Sequence, residues 1–178
     1  MKSTSSFRYG AFVASAAIGF ATLFNGCGKV AEEVAETAIE SGMPGGGNVQ
    51  IDSDSGTVSV QGSDGQGGAI NVQAGESVAL PADFPSDIPV PDGVTWNLVQ
   101  NSQSDGKPVV MVQGMLATPL ADVAASMKSR IESQGWTSVQ NFQQAGEMEM
   151  LSYKKEERSL NVTITKADDQ TSIMIASQ

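Results

Sequence analysis

The segment RSLNVTITK (158–166) alternates strictly between apolar and polar residues along its centre. Alternate side chains of a β-strand point to opposite faces of the sheet, so this pattern predicts a strand with one apolar face. The apolar positions are Leu160, Val162 and Ile164, and the polar ones are Asn161, Thr163 and Thr165. A strand of this kind is typical of an antiparallel sheet that is covered on one side only.

Similar strands and one helix are predicted on either side of this segment. The strand patterns cover residues 94–100, 108–117, 136–142, 147–154 and 171–177. Short turns separate the last four strands, and such turns require antiparallel pairing. Residues 94–178 are therefore predicted to form an α+β domain, an antiparallel sheet with one helix packed on one face in the order ββαββββ.

The helix is predicted from its capping residues and from one apolar stripe. Thr118 is the expected N-cap, Pro119 the first helical residue and Gly135 the C-terminal cap. The stripe follows helical spacing and comprises Leu120, Val123, Ala124, Met127 and Ile131. This stripe is expected to cover the apolar face of the sheet.

Residues 48–93 are predicted to be a Gly/Asp-rich β-repeat followed by a Pro-rich linker. The repeats NVQID, TVSVQ, AINVQ and SVAL each place apolar residues two positions apart, which predicts short strands. No aromatic residue occurs between Phe24 and Phe84, so this piece has little apolar area for a core. A thin β-meander and a flexible linker both remain open. The phrase DFPSDIPVPDG (83–93) resembles a segment of uncharacterised secreted bacterial proteins, and this resemblance implies no activity.

The N-terminus reads as an export signal. The start MKSTSSFRYG is polar and basic, and residues 11–24 form an uncharged apolar run that is too short to span a bilayer. The sequence Leu-Phe-Asn-Gly-Cys (23–27) resembles the lipobox of bacterial lipoproteins. This resemblance implies that residues 1–26 are a signal peptide, that cleavage falls between Gly26 and Cys27, and that the Cys27 sulfur carries a lipid.

Residues 27–47 are then predicted to comprise the lipidated cysteine and an acidic helical tether. The stretch KVAEEVAETAIES (29–41) predicts a short helix whose apolar side is thin, which favours a solvated spacer over a helix that packs on a partner. Because Gly28 rather than Asp follows the cysteine, the chain resembles lipoproteins sorted to the outer membrane. The expected location is the cell envelope, and the outer membrane facing the periplasm if the host has two membranes.

Composition excludes several functions. The net charge of −10 disfavours nucleic acid as a partner. The chain has no histidine and a single cysteine, so the commonest general base and the commonest transition-metal ligand are missing. No cofactor and no metal site are predicted.

Three motifs suggest chemistry, but a structural interpretation is preferred for each. Ser152 and Lys155 match a serine-x-x-lysine spacing, yet they fall on a predicted strand without companion motifs. Met148 and Met150 could bind Cu(I), but methionine more often fills gaps in a core. The acidic run at 52–56 lacks the ligand spacing of a calcium loop and is typical of a turn.

No catalytic residue is therefore predicted. The preferred hypothesis is a membrane-anchored, non-catalytic envelope lipoprotein whose domain binds a protein or another envelope component. The alternative hypothesis is a lipid-anchored hydrolase of unrecognised type.

Overall fold

The computed structural model describes residues 48–63, 68–104 and 106–178. The predicted signal peptide, the cleavage site at Gly26 and Cys27, and the tether helix at 29–41 lie outside the described residues.

In these described ranges, nine strands form one antiparallel sheet. They are β1 (Asn48–Asp52), β2 (Thr57–Ser63), β3 (Ala69–Ala74), β4 (Thr95–Ser104), β5 (Lys107–Leu116), β6 (Thr137–Gln144), β7 (Met148–Lys155), β8 (Arg158–Ala167) and β9 (Gln170–Ser177). The single described helix, α1 (Leu120–Ser133), connects β5 to β6. The spatial order is β1-β2-β3-β4-β5-β9-β8-β7-β6, so β1 and β6 are the two edges.

The α+β class agrees with the prediction, but the sheet departs from the predicted ββαββββ arrangement. Three strands that precede residue 94 join it, because β3 pairs with β4 from Ile70↔Ser102 to Ala74↔Leu98. The repeats are too poor in apolar residues to form a core of their own. They can form strands without one, because the edge strand of an existing sheet offers a row of free backbone donors and acceptors with which they pair.

Helix α1 begins one residue later than the capping prediction. Pro119 occupies the N-cap position with an extended ψ of 144°, and its carbonyl accepts the N–H groups of Asp122 and Val123. The prediction of Thr118 as the N-cap is wrong, because the Thr118 carbonyl instead accepts the Thr171 hydroxyl of β9 at 2.8 Å.

The C-terminal cap of α1 is confirmed. Gly135 has a φ of 83°, a left-handed conformation that favours glycine. Its N–H donates to the Glu132 carbonyl, and the Trp136 N–H donates to the Ile131 carbonyl. These two bonds satisfy carbonyls that the end of the helix would otherwise leave unpaired.

Helix α1 covers one face of the sheet over β7 and β8. The predicted register of β8 is confirmed, because Leu160, Val162 and Ile164 are all fully buried. Met127 and Ile131 of α1 are fully buried against this core as well. We call this side of the sheet the covered face and the opposite side the open face.

Residues 75–94, which we call the proline strap, cover the remaining apolar part of the same face. Val78 and Ile88 of the strap are buried in the core beside Trp96 and Val99 of β4. The Val78 N–H donates to the Trp96 carbonyl at 2.7 Å, which ties the start of the strap to the sheet. The core is therefore closed by two elements, the helix over one half and the strap over the other.

Nothing in the described ranges resembles a membrane-spanning helix, since α1 is neither long enough nor apolar enough to cross a bilayer.

Candidate functional site

The covered face changes from apolar to polar at the boundary between β4 and β3. Directly opposed residues of neighbouring strands share a face, so the pairings show which side chains lie together. Buried Val99 of β4 lies opposite Gln73 of β3, and Gln73 lies opposite Ser59 of β2. The apolar residues of β1 to β3 are on the other side, where Val72, Val60 and Val49 form one row on the open face.

The polar part of the covered face is rich in side-chain amides, and we call it the amide face. Its members are Asn48, Gln50, Gln61, Asn71, Gln73 and Asn101. Four of them form a row across the strands through the pairings Asn48↔Gln61, Gln61↔Asn71 and Asn71↔Asn101. With neighbouring strands about 4.8 Å apart, this row is about 14 Å long.

These amides are available to a ligand. None of the six side chains hydrogen-bonds to another residue in the described part of the chain. Each amide offers two N–H donors and one oxygen acceptor. The amide face therefore presents hydrogen-bonding capacity that no described residue uses.

A groove of about 1080 Å³ lies where the amide row meets the proline strap. Its floor includes Gln61, Asn71 and Asn101, and the row continues into Val110 and Ser177 of the central strands. Strap residues Asp83 and Pro85 also line the groove, and so do Lys107, Pro108, Glu157 and Arg158. A second cavity, of about 540 Å³, lies at the opposite end of the same face beside Gln50, Ser59 and Gln73.

Asp87 fixes the part of the strap that lines the groove. The Asp87 carboxylate accepts hydrogen bonds from Lys155 Nζ at 2.8 Å and from Arg158 Nη1 at 2.9 and 3.0 Å. The Asp87 carbonyl accepts the Trp136 indole N–H at 3.0 Å. Both cations also lie over the Trp136 ring, with Arg158 5.0 Å and Lys155 5.9 Å from its centroid.

The pKa of the Asp87 carboxyl is lowered from its ordinary value of 3.8. Partial burial raises this pKa, but the hydrogen bonds and positive charges of Lys155 and Arg158 outweigh that effect. Asp87 is therefore ionised at neutral pH and holds the strap through charge-assisted bonds.

The charged groups around the groove are mostly paired with each other. Arg158 is bound to Asp87, and Lys107 lies 3.5 Å from Glu157 in a solvent-exposed pair. Among the described residues that line the groove, Asp83 is the charged one without an ion-pair partner. The described lining therefore carries little net charge, although the whole chain carries a charge of −10.

The structure separates the residues of two sequence motifs. Ser152 lies on the open face, where its hydroxyl contacts the Asn161 amide oxygen at 2.8 Å, whereas Lys155 lies on the covered face with Asp87. This serine and lysine cannot act as a nucleophile and its base. Met148 and Met150 share the open face, while Glu149 between them is buried on the covered face and ion-paired with Lys128 of α1.

The acidic run after β1 forms a turn. Asp52 Oδ1 accepts the N–H groups of Asp54 at 3.0 Å and Ser55 at 3.2 Å, and Gly56 follows with a φ of 63°. Within residues 48–63, 68–104 and 106–178, no group of three or more acidic, histidine or cysteine residues is arranged to hold a metal ion.

Sequence reasoning did not identify the groove. The sequence does contain a pattern that indicates the amide row, because the repeats NVQ, SVQ and NVQ place an amide residue next to each valine. Only the pairing of β3 with β4 shows that these amides continue the covered face rather than the open one.

Two parts of the chain match known families. Residues 97–172 match the family described as START domain-like, and residues 28–83 match the family described as hemagglutinin repeat. Neither match covers half of the 178 residues. No curated protein and no solved structure matches the chain.

Proposed function

We propose that this protein is a lipid-anchored component of a bacterial cell envelope, and that its folded part is a non-catalytic binding module. The observation that carries the binding role is the groove, whose floor presents side-chain amides without a hydrogen-bond partner among the described residues. The START domain-like match supports a ligand-binding module, and the hemagglutinin repeat match supports an envelope or secreted protein.

The anchor rests on the sequence. The basic start, the apolar run and the lipobox-like residues before Cys27 together support lipidation at its sulfur. Attached acyl chains give stable membrane binding when two or more are present. Gly28 supports the outer membrane as the destination in a host with two membranes.

Fatty-acid labelling in the native host tests the anchor. Cys27→Ser should abolish the label, because the thiol is the attachment atom, and Ser3→Ala should leave it unchanged. Label that persists in Cys27→Ser contradicts the lipoprotein assignment. Separation of the two membranes on a density gradient tests the destination, which is wrong if most of the protein stays with the inner membrane.

Site-specific photocrosslinking in cells tests the binding role. A photoreactive residue at position 101 lies in the groove, whereas one at position 100 lies on the same strand but on the open face. We expect an envelope component to be captured from position 101 and not from position 100. Equal capture, or none from position 101, contradicts the proposed binding module.

A further inference from the structure

The chemistry of the groove specifies the kind of ligand that it fits. Its floor is a row of side-chain amides that carry no charge and have no partner among the described residues. A hydroxyl group both donates and accepts a hydrogen bond, and an amide offers both functions side by side. A row of amides spaced about 4.8 Å apart therefore matches a chain molecule with many hydroxyl groups.

Apolar side chains also line the groove. They are Pro85 of the strap and Pro108 and Val110 of β5. A sugar ring presents hydroxyl groups at its edge and C–H groups on its faces. The amides and these apolar side chains match the two kinds of surface.

The geometry disfavours a polypeptide. An extended peptide binds by adding a strand to a free sheet edge and by placing alternate side chains in pockets. The three amides of the row that line the groove, Gln61, Asn71 and Asn101, lie on β2, β3 and β4, and these strands pair with neighbours inside the sheet. The groove therefore offers no backbone edge to a peptide.

The charges disfavour an ionic ligand. Arg158 is held by Asp87, the charge of exposed Lys107 is balanced by Glu157, and the carboxylate of Asp83 would repel an anion. A single exposed carboxylate is too little to select a cation.

We propose that the groove between the amide row and the proline strap binds an uncharged oligosaccharide. The proposal rests on the binding module proposed above and names its ligand class. Asn71 and Asn101 at the centre of the row donate to and accept from the sugar hydroxyls. Asp87 positions the strap wall without touching the ligand.

NMR titration of residues 27–178 carrying Cys27→Ser tests this proposal. The probes are chitotetraose and maltotetraose, two neutral tetrasaccharides, and a neutral alanine–serine hexapeptide. We expect at least one tetrasaccharide to shift the side-chain amide signals of Asn71 and Asn101 in a saturable manner, and the hexapeptide to shift neither.

The double variant Asn71→Leu/Asn101→Leu should weaken that binding about ten-fold or more, because two hydrogen bonds to the ligand are lost. Gln100→Leu is the matched control, since it removes an amide from the same strand on the open face. It should bind as the parent protein does. Denaturation curves of all three proteins identify a variant that fails to fold. If one does, the proposal is judged from the chemical-shift changes of the Asn71 and Asn101 side-chain amides in the parent protein.

The outcomes separate this proposal from the proposed function. Capture of an envelope component from position 101 without any response to either tetrasaccharide overturns the oligosaccharide and leaves the binding module intact. A response to the hexapeptide at the same amides overturns it in favour of a peptide ligand. Absence of both capture and titration overturns the ligand class and the binding module together.

Discussion

Gln73 on β3 and Val99 on β4 lie opposite each other in the sheet, and between them the covered face changes from polar to apolar. Among the described residues, no buried core residue lies before Val78, so β1 to β3 add nothing to the core that α1 and the proline strap close. The first three strands are therefore an extension of the sheet that presents the amide face. The stability and the proposed binding role are thus separable by mutation.

The register of β8 makes the first stability prediction. Ile164 is fully buried on the covered face, so Ile164→Asp places an unpaired charge in the core and should unfold the domain. Thr163→Asp, one residue away, lies on the open face between Met150 and Met174 and should be tolerated. Urea denaturation of both variants tests this, and greater damage from Thr163→Asp would contradict the register.

The Asp87 contacts predict a pH-dependent stability. The lowered pKa of Asp87 means that its ionised form contributes stability at pH values above the ordinary carboxyl pKa of 3.8. This contribution is lost as the pH falls through the lowered pKa. Asp87→Ala should reduce the free energy of unfolding by about 2 kcal/mol near pH 7, and the difference from the parent protein should shrink below about pH 4.

Asp92→Ala is the matched control for Asp87→Ala. Asp92 is also a strap aspartate with an arginine partner, but it is fully exposed, and its oxygen lies 3.7 Å from Arg130 Nη1. Exposed pairs of this kind contribute little, so this variant should unfold as the parent protein does at every pH. Equal effects of the two substitutions would show that Asp87 does not anchor the strap.

The buried carboxylate of Glu149 makes the third prediction. It is ion-paired with Lys128 beneath α1 and is only 2% exposed. Lys128→Ala should cost about 3 kcal/mol, because it leaves a buried charge without its partner. The double variant Lys128→Met/Glu149→Leu should recover most of that loss, since no charge is then buried. Chemical denaturation of the parent protein and the two variants measures the free energies of unfolding. A double variant as unstable as Lys128→Ala would contradict the pairing.

The alternation in RSLNVTITK and the stripe of α1 were sufficient to predict the half of the core that the helix covers, because burial selects apolar residues at these positions. The same logic could not place β1 to β3. Their alternation predicts strands, but Val72 and its neighbours face the open side, and only the β3–β4 pairing fixes that choice. The groove was missed for the same reason.

Asp87 was missed because a lone aspartate in a proline-rich segment gives no sign of Lys155 and Arg158, which follow about 70 residues later.

The last prediction concerns which residues the core needs, and it tests the predicted domain boundary at residue 94. A protein of residues 76–178 keeps every buried core residue that the structure describes, including Val78 and Ile88 of the strap. It should unfold cooperatively in urea with a midpoint close to that of the longer chain. A protein of residues 95–178 loses both strap side chains and the Asp87 bonds. Each buried aliphatic side chain contributes about 1.5–3 kcal/mol, so the shorter protein should be less stable by several kcal/mol or fail to fold.

The fluorescence of Trp136 reports the difference, because in the shorter protein its indole N–H loses the Asp87 carbonyl as acceptor and becomes exposed to solvent. Cooperative unfolding of residues 95–178 with unchanged stability would show that the strap is a linker, and non-cooperative unfolding of residues 76–178 would show that β1 to β3 belong to the core.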